Sequence, residues 1–292
     1  MCIYKYIDNI YIFLITTNDW NLDDDFMKKI VLLTGNELRH IFFKKYMSNH
    51  SEISVIASFC ESDNGNIIKK VSQQENNKLR TKHLEERVKS EIIFFKKFCD
   101  ETKDKSNSIF INRGNINLTE NVNKIKVLNP DLIISYGCSI IKSELLEIFK
   151  GKFINIHLGI SPYYRGSGTN FWPFVENELS AIGTTFMHID EGIDTGAIIH
   201  QIRAKIEITD SIHSIGNRLI QDSTYECIKI IKSFHKLKKQ EKNKSKGKLY
   251  RNIDFNEECV REAYKNLDKK INNYINKKSL LDKQFPIINA FE

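Results

Sequence analysis

The 292-residue sequence has no run of eighteen apolar residues, so it offers no helical membrane span. Its start lacks the basic head and small-residue cleavage site of a secretory signal. The short apolar patch Ile10-Tyr11-Ile12-Phe13-Leu14-Ile15 runs instead toward Asn21-Leu22-Asp23-Asp24-Asp25. The six cysteines, at 2, 60, 99, 138, 227 and 259, form no Cys-x-x-Cys pair, and no histidine pair stands near them at zinc spacing. The expectation is free thiols in a reducing cytoplasm, with no metal site. No internal repeat is present.

What the chain does have is 41% apolar content, enough for one large core or two modest ones. Its net charge of +7 is uneven, with lysines crowded between Lys236 and Lys248. Such a run reads first as a solvated loop, which argues against a nucleic-acid partner. Met27-Lys28-Lys29-Ile30-Val31-Leu32-Leu33-Thr34-Gly35 reads as the opening strand of an α/β domain. Residues 1–26 then form an extension of doubtful structure, with an edge strand from Tyr11 to Thr16 as the alternative reading. The catalytic domain is expected over 27–235, and a lysine-rich linker with a helical C-terminal region over 236–292.

Continuous apolar runs at 30–34, 53–58, 131–137 and 153–157 fit strands buried on both faces. Further strands are expected at 182–189 and 197–206, and a short one at 108–111. Helices are expected at 37–46, 79–98, 211–234 and 256–275, the second with Leu84, Val88, Ile92 and Phe95 on one face. Thr119 and Ser143 read as caps of two shorter helices, and residues 61–78 read as a loop. The alternation predicts an α/β fold: a doubly wound, mostly parallel sheet with a helical C-terminal tail. Ligands of such sheets bind at the carboxyl ends of the strands.

The stretch "FINIHLGISPYYRG" places Asn155 and His157 two apart at such an end. Side chains two apart on a strand share a face. An amide N–H is a neutral donor for a developing oxyanion, and an imidazole can donate or shuttle a proton near neutral pH. A second stretch, "HIDEGIDTGAII", brings Asp190, Glu191 and Asp194 into a turn that could supply a carboxylate to the imidazole. Asn, His and Asp at strand ends suit acyl transfer with no metal and no covalent nucleophile. No base stands beside Cys138, which argues against a thiolate nucleophile.

"NIHLGISPYYRG" followed by "GTTFMHIDEGIDTGAII" resembles the two signature segments of the formyltransferases that use 10-formyltetrahydrofolate. The resemblance is strongest over residues 130–206 and extends more weakly back to Lys28. It implies a Rossmann-like formyltransferase fold, 10-formyltetrahydrofolate as formyl donor, and Asn155, His157 and Asp194 as the catalytic trio. It also implies that Tyr136, Gly137, Cys138, Ser139, Ile140, Ile141, Asp190, Glu191 and Gly192 wall the pterin pocket. Gly35 and Asn36 fall where relatives approach a substrate phosphate, and Arg165 reads as a substrate contact or a structural donor. The chain departs from the family pattern at Gly159, where many relatives carry serine. That glycine is expected to widen the loop and change which amine fits. The tail after Lys236 shows no series of alternating strands, unlike the barrel of the tRNA enzymes. The expected partner is therefore a small-molecule amine, an amino sugar carried on a nucleotide. Glycinamide ribonucleotide and methionyl-tRNA are the alternatives, and a non-catalytic folate- or nucleic-acid-binding protein is the reading from another class. Membrane contact is not expected, and a homodimer is allowed.

Overall fold

The computed structural model describes residues 27–62, 71–73, 77–237 and 247–291, together with the backbone of 6–7 and 10–11. Tyr6–Ile7 and Ile10–Tyr11 pair as a two-stranded antiparallel ribbon. The rest of the 1–26 extension, including the alternative edge strand beyond Tyr11, lies outside the described residues. So do most of the loop expected at 61–78 and the lysines of 238–246.

Seven strands make the central sheet: β1 (Lys28–Thr34), β2 (Ile53–Ser62), β3 (Ser108–Asn112), β4 (Leu132–Tyr136), β5 (Phe153–His157), β7 (Gly183–Met187) and β8 (Ile198–Arg203). Their spatial order is β8-β7-β5-β4-β1-β2-β3. The five strands from β5 to β3 run parallel, and β7 and β8 add an antiparallel edge. A separate parallel pair joins β6 (Tyr164–Gly166) to β9 (Lys248–Tyr250).

The apolar run of β1 is fully buried because both faces are covered. Ile30 and Leu32 pack with Phe42, Phe43 and Met47 of α1 (Leu38–Asn49) and with α7 (Ile212–Ser233). Val31 and Leu33 face the other way, onto Val122 and Ile125 of α4 (Thr119–Leu128) and Leu145 of α5 (Ser143–Ile148). Each of these large side chains contributes about 1.5–3 kcal/mol by leaving water. Ser211 caps α7 by accepting from the Ser214 amide, and Asn256 caps α8 (Glu257–Leu281) by accepting from Cys259. Leu118 and Lys142 hold the cap positions expected for Thr119 and Ser143, which begin their helices instead. α8 packs Ala263, Leu267, Ile271 and Tyr274 against Phe174 of α6 (Trp172–Val175) and against α7.

The helix expected at 79–98 is longer and differently phased. α2 (Lys78–Glu91) runs through a π-helical turn, Ile92–Lys96, into α3 (Lys97–Glu101). The wide turn shifts the helical phase. Leu84 and Phe95 are buried as expected, but Val88 and Ile92 are 42% and 45% exposed. They line a cleft of about 230 Å³ with Leu38, Arg39 and Arg87.

The chain leaves β1 toward β2 and β3 on one side and returns to β4 and β5 on the other. The carboxyl ends of β1 and β4 therefore flank the point where the winding reverses, the usual place for a ligand in such a sheet.

Candidate active site

At the end of β5, Asn155 pairs in register with Ser135 on one side and Met187 on the other, and His157 lies opposite Thr185. Asn155 is half-buried, and among the described residues its amide has no hydrogen-bond partner. His157 is buried, and both of its ring nitrogens are engaged. Nε2 lies 2.9 Å from the Tyr164 carbonyl oxygen, and Nδ1 lies 3.4 Å from Oδ1 of Asp194. Both neighbours are acceptors. A ring protonated on both nitrogens satisfies both contacts, whereas a neutral ring satisfies one.

Asp194 is held in place from two directions. Its backbone adopts φ = 50°, in the left-handed region that Asp and Asn tolerate better than most residues. Its other carboxylate oxygen accepts from the Gly166 amide at 2.7 Å. Gly166 in turn has φ = 94° in β6, where a Cβ would stand 2.1 Å from the Tyr250 carbonyl of β9. The C-terminal pairing of β9 on β6 thus braces the residue that faces His157.

Gly159 has the opposite effect to the one its sequence suggests. The space where its side chain would stand is filled, not open. A Cβ there would lie 2.7 Å from His157 Nε2 and 2.8 Å from Thr169 Cβ. The glycine lets the imidazole pack down against Thr169, whose hydroxyl donates to the Leu158 carbonyl at 2.6 Å. Gly159→Ala is expected to cost about 1–3 kcal/mol of stability through overpacking, read as a lowered urea midpoint. An unchanged midpoint would show that the imidazole moves aside freely.

The remaining expected site residues divide into those at a surface and those in the core. Ile140 is 72% exposed, and Gly137 (φ = 72°) turns the chain after β4. Tyr136 points into the core, edge-on to His40 and Phe43 with centroids 4.9 and 5.3 Å away. Ile141 is buried with Leu145 and Phe149, and Cys138 and Ile189 pack against the same cluster. Burial pushes the Cys138 thiol up to about 12, which keeps it protonated near neutral pH. Asp190 closes its own turn, accepting from the Gly192 amide and the Thr195 hydroxyl, while Glu191 is exposed. A cavity of about 220 Å³ opens beside this turn, between Phe153, His188, Ile189, Asp190 and Ala197. Arg165 donates to the Gly247 carbonyl, a contact within the β6–β9 pair. Gly35 is buried and Asn36 exposed at the carboxyl end of β1.

Two residues that the sequence did not single out organise this end of the sheet. The His40 ring lies under both glycine turns: a Cβ at Gly35 would come within 2.6 Å of it, and one at Gly137 within 2.3 Å. Burial, followed by the Arg39 charge, holds the His40 imidazole below its ordinary range. Glu61, buried at the end of β2, accepts from the Ser139 amide and hydroxyl at 2.7 and 2.6 Å and from the Gly114 amide at 2.9 Å. It anchors the turn after β4. Neither contact has a local sequence signal, because the partners lie 53 or more positions away or require two turns to converge.

Among the described residues no group of three His, Cys, Asp or Glu side chains is placed to hold a metal ion. No helix there is long and apolar enough to cross a membrane.

A family model described as formyl transferase matches residues 27–229. A methionyl-tRNA formyltransferase of Thermodesulfovibrio yellowstonii is 35% identical over 120 residues, covering 40% of this chain and 37% of that protein. A GDP-perosamine N-formyltransferase of Brucella melitensis is 37% identical over 93 residues, covering 32% of this chain and 36% of that protein. The matched stretch thus spans little more than a third of either curated relative. A solved sugar N-formyltransferase of a Shewanella species shares the fold, with a TM-score of 0.52 at 18% identity, covering 78% of each chain.

Proposed function

The chain belongs to the formyl transferase family, and from that premise we propose that it transfers a formyl group from 10-formyltetrahydrofolate to the primary amine of a nucleotide-linked amino sugar. The observation that carries the reading is the His157–Asp194 contact at the carboxyl end of β5, beside the unpaired Asn155 amide. The cavity next to the Asp190 turn has apolar walls in Phe153, Ile189 and Ala197 and a carboxylate at its rim, which suits a flat, polar-edged heterocycle. When bound, the folate supplies the formyl carbon on its N10 nitrogen.

The protein's own groups divide the work as follows. The Asn155 amide donates to the formyl oxygen, where negative charge grows as the amine attacks. His157, held on the Tyr164 carbonyl, places its imidazole beside the same oxygen. The 3.4 Å gap between His157 and Asp194 is long for a charge-assisted hydrogen bond. It lets the Asp194 carboxylate turn toward the incoming amine, accept its proton and pass it to the departing nitrogen. The Gly166 amide keeps the carboxylate aimed during that exchange.

The acceptor assignment rests on two points. The described C-terminal region is one short strand and α8, packed on the catalytic fold, with no barrel of strands. The Brucella relative named above is, by its name, an N-formyltransferase of GDP-perosamine. The test is release of tetrahydrofolate, followed by absorbance, against a panel of amines. The panel holds water alone, glycinamide ribonucleotide, methionyl-tRNA, and nucleotide-linked 3- and 4-amino sugars. Turnover with an amino sugar alone is expected. Turnover with glycinamide ribonucleotide or methionyl-tRNA would overturn the acceptor and keep the reaction, and turnover with water alone would make the chain a deformylase.

A further inference from the structure

The segment that follows α8 folds back onto the edge strand β8 and is tied to it by backbone and side-chain hydrogen bonds. Arg203 donates to the Phe285 carbonyl at 2.6 Å. The Gln201 backbone N–H donates to the Ile288 carbonyl at 2.8 Å, and the Ile288 N–H returns a bond to the side-chain Gln201 Oε1 at 3.0 Å. The Ala290 N–H donates to His200 Nδ1 at 3.1 Å, and the Phe291 ring lies against His200.

Gln201 is 2% exposed and has a second set of partners on its other end. Its Nε2 donates to the Ser161 carbonyl at 2.8 Å and to Thr185 Oγ1 at 2.9 Å. Thr185, fully buried, accepts from the Ser161 N–H at 2.9 Å and donates to the Gly159 carbonyl at 2.7 Å. The Thr185 hydroxyl gives its proton and one acceptor site to the turn that follows His157, and its other acceptor site to Gln201. Thr185 is also the register partner of His157 in the β5–β7 pairing, and Gly159 is the residue against which the imidazole packs. An unbroken line of hydrogen bonds, buried from Gln201 onward, therefore runs from Ile288 through Gln201 and Thr185 to the backbone beside His157.

We propose that Thr185 and Gln201 are positioning residues for His157, and that residues 285–291 are a strap whose docking on β8 sets the placement of the imidazole. The proposal rests on the reading of His157 as part of the reacting site. It assigns the strap an influence on the chemical step, with no contact to either substrate. Small displacements of a reacting group lower rate steeply while leaving substrate affinity in place.

The test uses the full chain, with two readouts. One is the split between kcat and KM for formyl transfer. The other is the ¹⁵N imidazole resonances of His157, which need no turnover. Thr185→Val keeps the side-chain shape and removes the hydroxyl. It is expected to lower kcat about tenfold or more with KM within about twofold, and to shift the His157 resonances. Thr185→Ser should restore both. Gln201→Glu keeps an acceptor for Ile288 but cannot donate to Ser161 and Thr185, so it should move the same readouts in the same direction. It also serves if the valine variant does not fold. Ile288→Pro removes the strap's N–H and should give a smaller change of the same kind. Unmoved His157 resonances in the folded variants would overturn the proposal, as would equal losses in Thr185→Val and Thr185→Ser. A parent chain that transfers no formyl group, with His157 resonances still shifted by Thr185→Val, would refute the reaction and leave the positioning intact.

Discussion

Asp194→Asn should lower kcat about 10²–10⁴-fold, the usual scale for loss of a proton-handling group, with the urea midpoint unchanged. The substitution is mild in every structural respect. Asparagine tolerates φ = 50°, and its amide oxygen can still accept from Gly166 at 2.7 Å. What changes is the face turned toward His157. An amide N–H₂ there offers a donor to Nδ1, so the ring keeps one proton, on Nε2, committed to the Tyr164 carbonyl. What is lost is the carboxylate that would take the amine's proton. Stopped assays of tetrahydrofolate release, with urea unfolding on the same preparation, separate the two effects. Turnover within threefold of the parent would remove Asp194 from the chemistry.

Acidification should unfold the chain well before its carboxylates alone would require it. His83 on α2 and His213 on α7 pack ring against ring, tilted, with centroids 4.6 Å apart, and each faces the hydroxyl of Tyr264 from α8, at 3.3 and 3.4 Å. Phe171 and Phe255 close the cluster around His83. Burial first, then the His213 and Arg87 charges, brings His83 down to about 3. Burial and Arg87 bring His213 down to about 4, against the opposing pull of Glu86. Both rings are thus neutral in the folded state at a pH where the unfolded chain protonates them. Their cost is absent above the ordinary histidine value of 6.5 and grows as pH falls from there toward the folded values. At about 1.4 kcal/mol per unit, each ring removes roughly 2–3 kcal/mol by pH 4.5. Urea midpoints at pH 7.5 and 4.5 measure the loss. His83→Phe keeps the ring packing and removes one titrating ring, so its midpoint should be lower at pH 7.5 and fall less on acidification. Equal falls in variant and parent would place the acid sensitivity elsewhere.

The parts of the molecule legible in the sequence are those whose cause is local. The apolar run of β1 says that it is buried on both faces, and the spacing of Asn155 and His157 places them on one side of a strand end. The cap of α7 at Ser211 can be read from residues within one turn. The phase beyond α2 could not be read that way, because a π-helical turn at Ile92–Lys96 breaks the periodicity that linked Ile92 to Leu84. Gly159 was misread for a related reason. A glycine in a loop suggests room, and only the folded chain shows that Thr169 and the ring of His157 already fill it. His40 and Glu61 were passed over because their importance lies in what meets them, turns that come together across the sheet from distant parts of the chain. The Gln201–Ile288 bonds, 87 positions apart, are of the same kind.

The pairing of β6 with β9 also orders events in time. Among the described residues Tyr164–Gly166 pairs only with Lys248–Tyr250, and the Tyr250 carbonyl accepts from the Ser167 amide at 2.8 Å. During synthesis the seven-stranded sheet has all of its strands once Arg203 has emerged. The turn that steadies the Asp194 carboxylate still waits for Lys248–Tyr250, which begins 45 positions after Arg203. A nascent chain therefore passes through a stage with every sheet strand in hand and its proposed catalytic carboxylate unbraced. The brace arrives only once Lys248–Tyr250 has been made, and it belongs to the chain through β9 rather than to residues 27–235 taken alone.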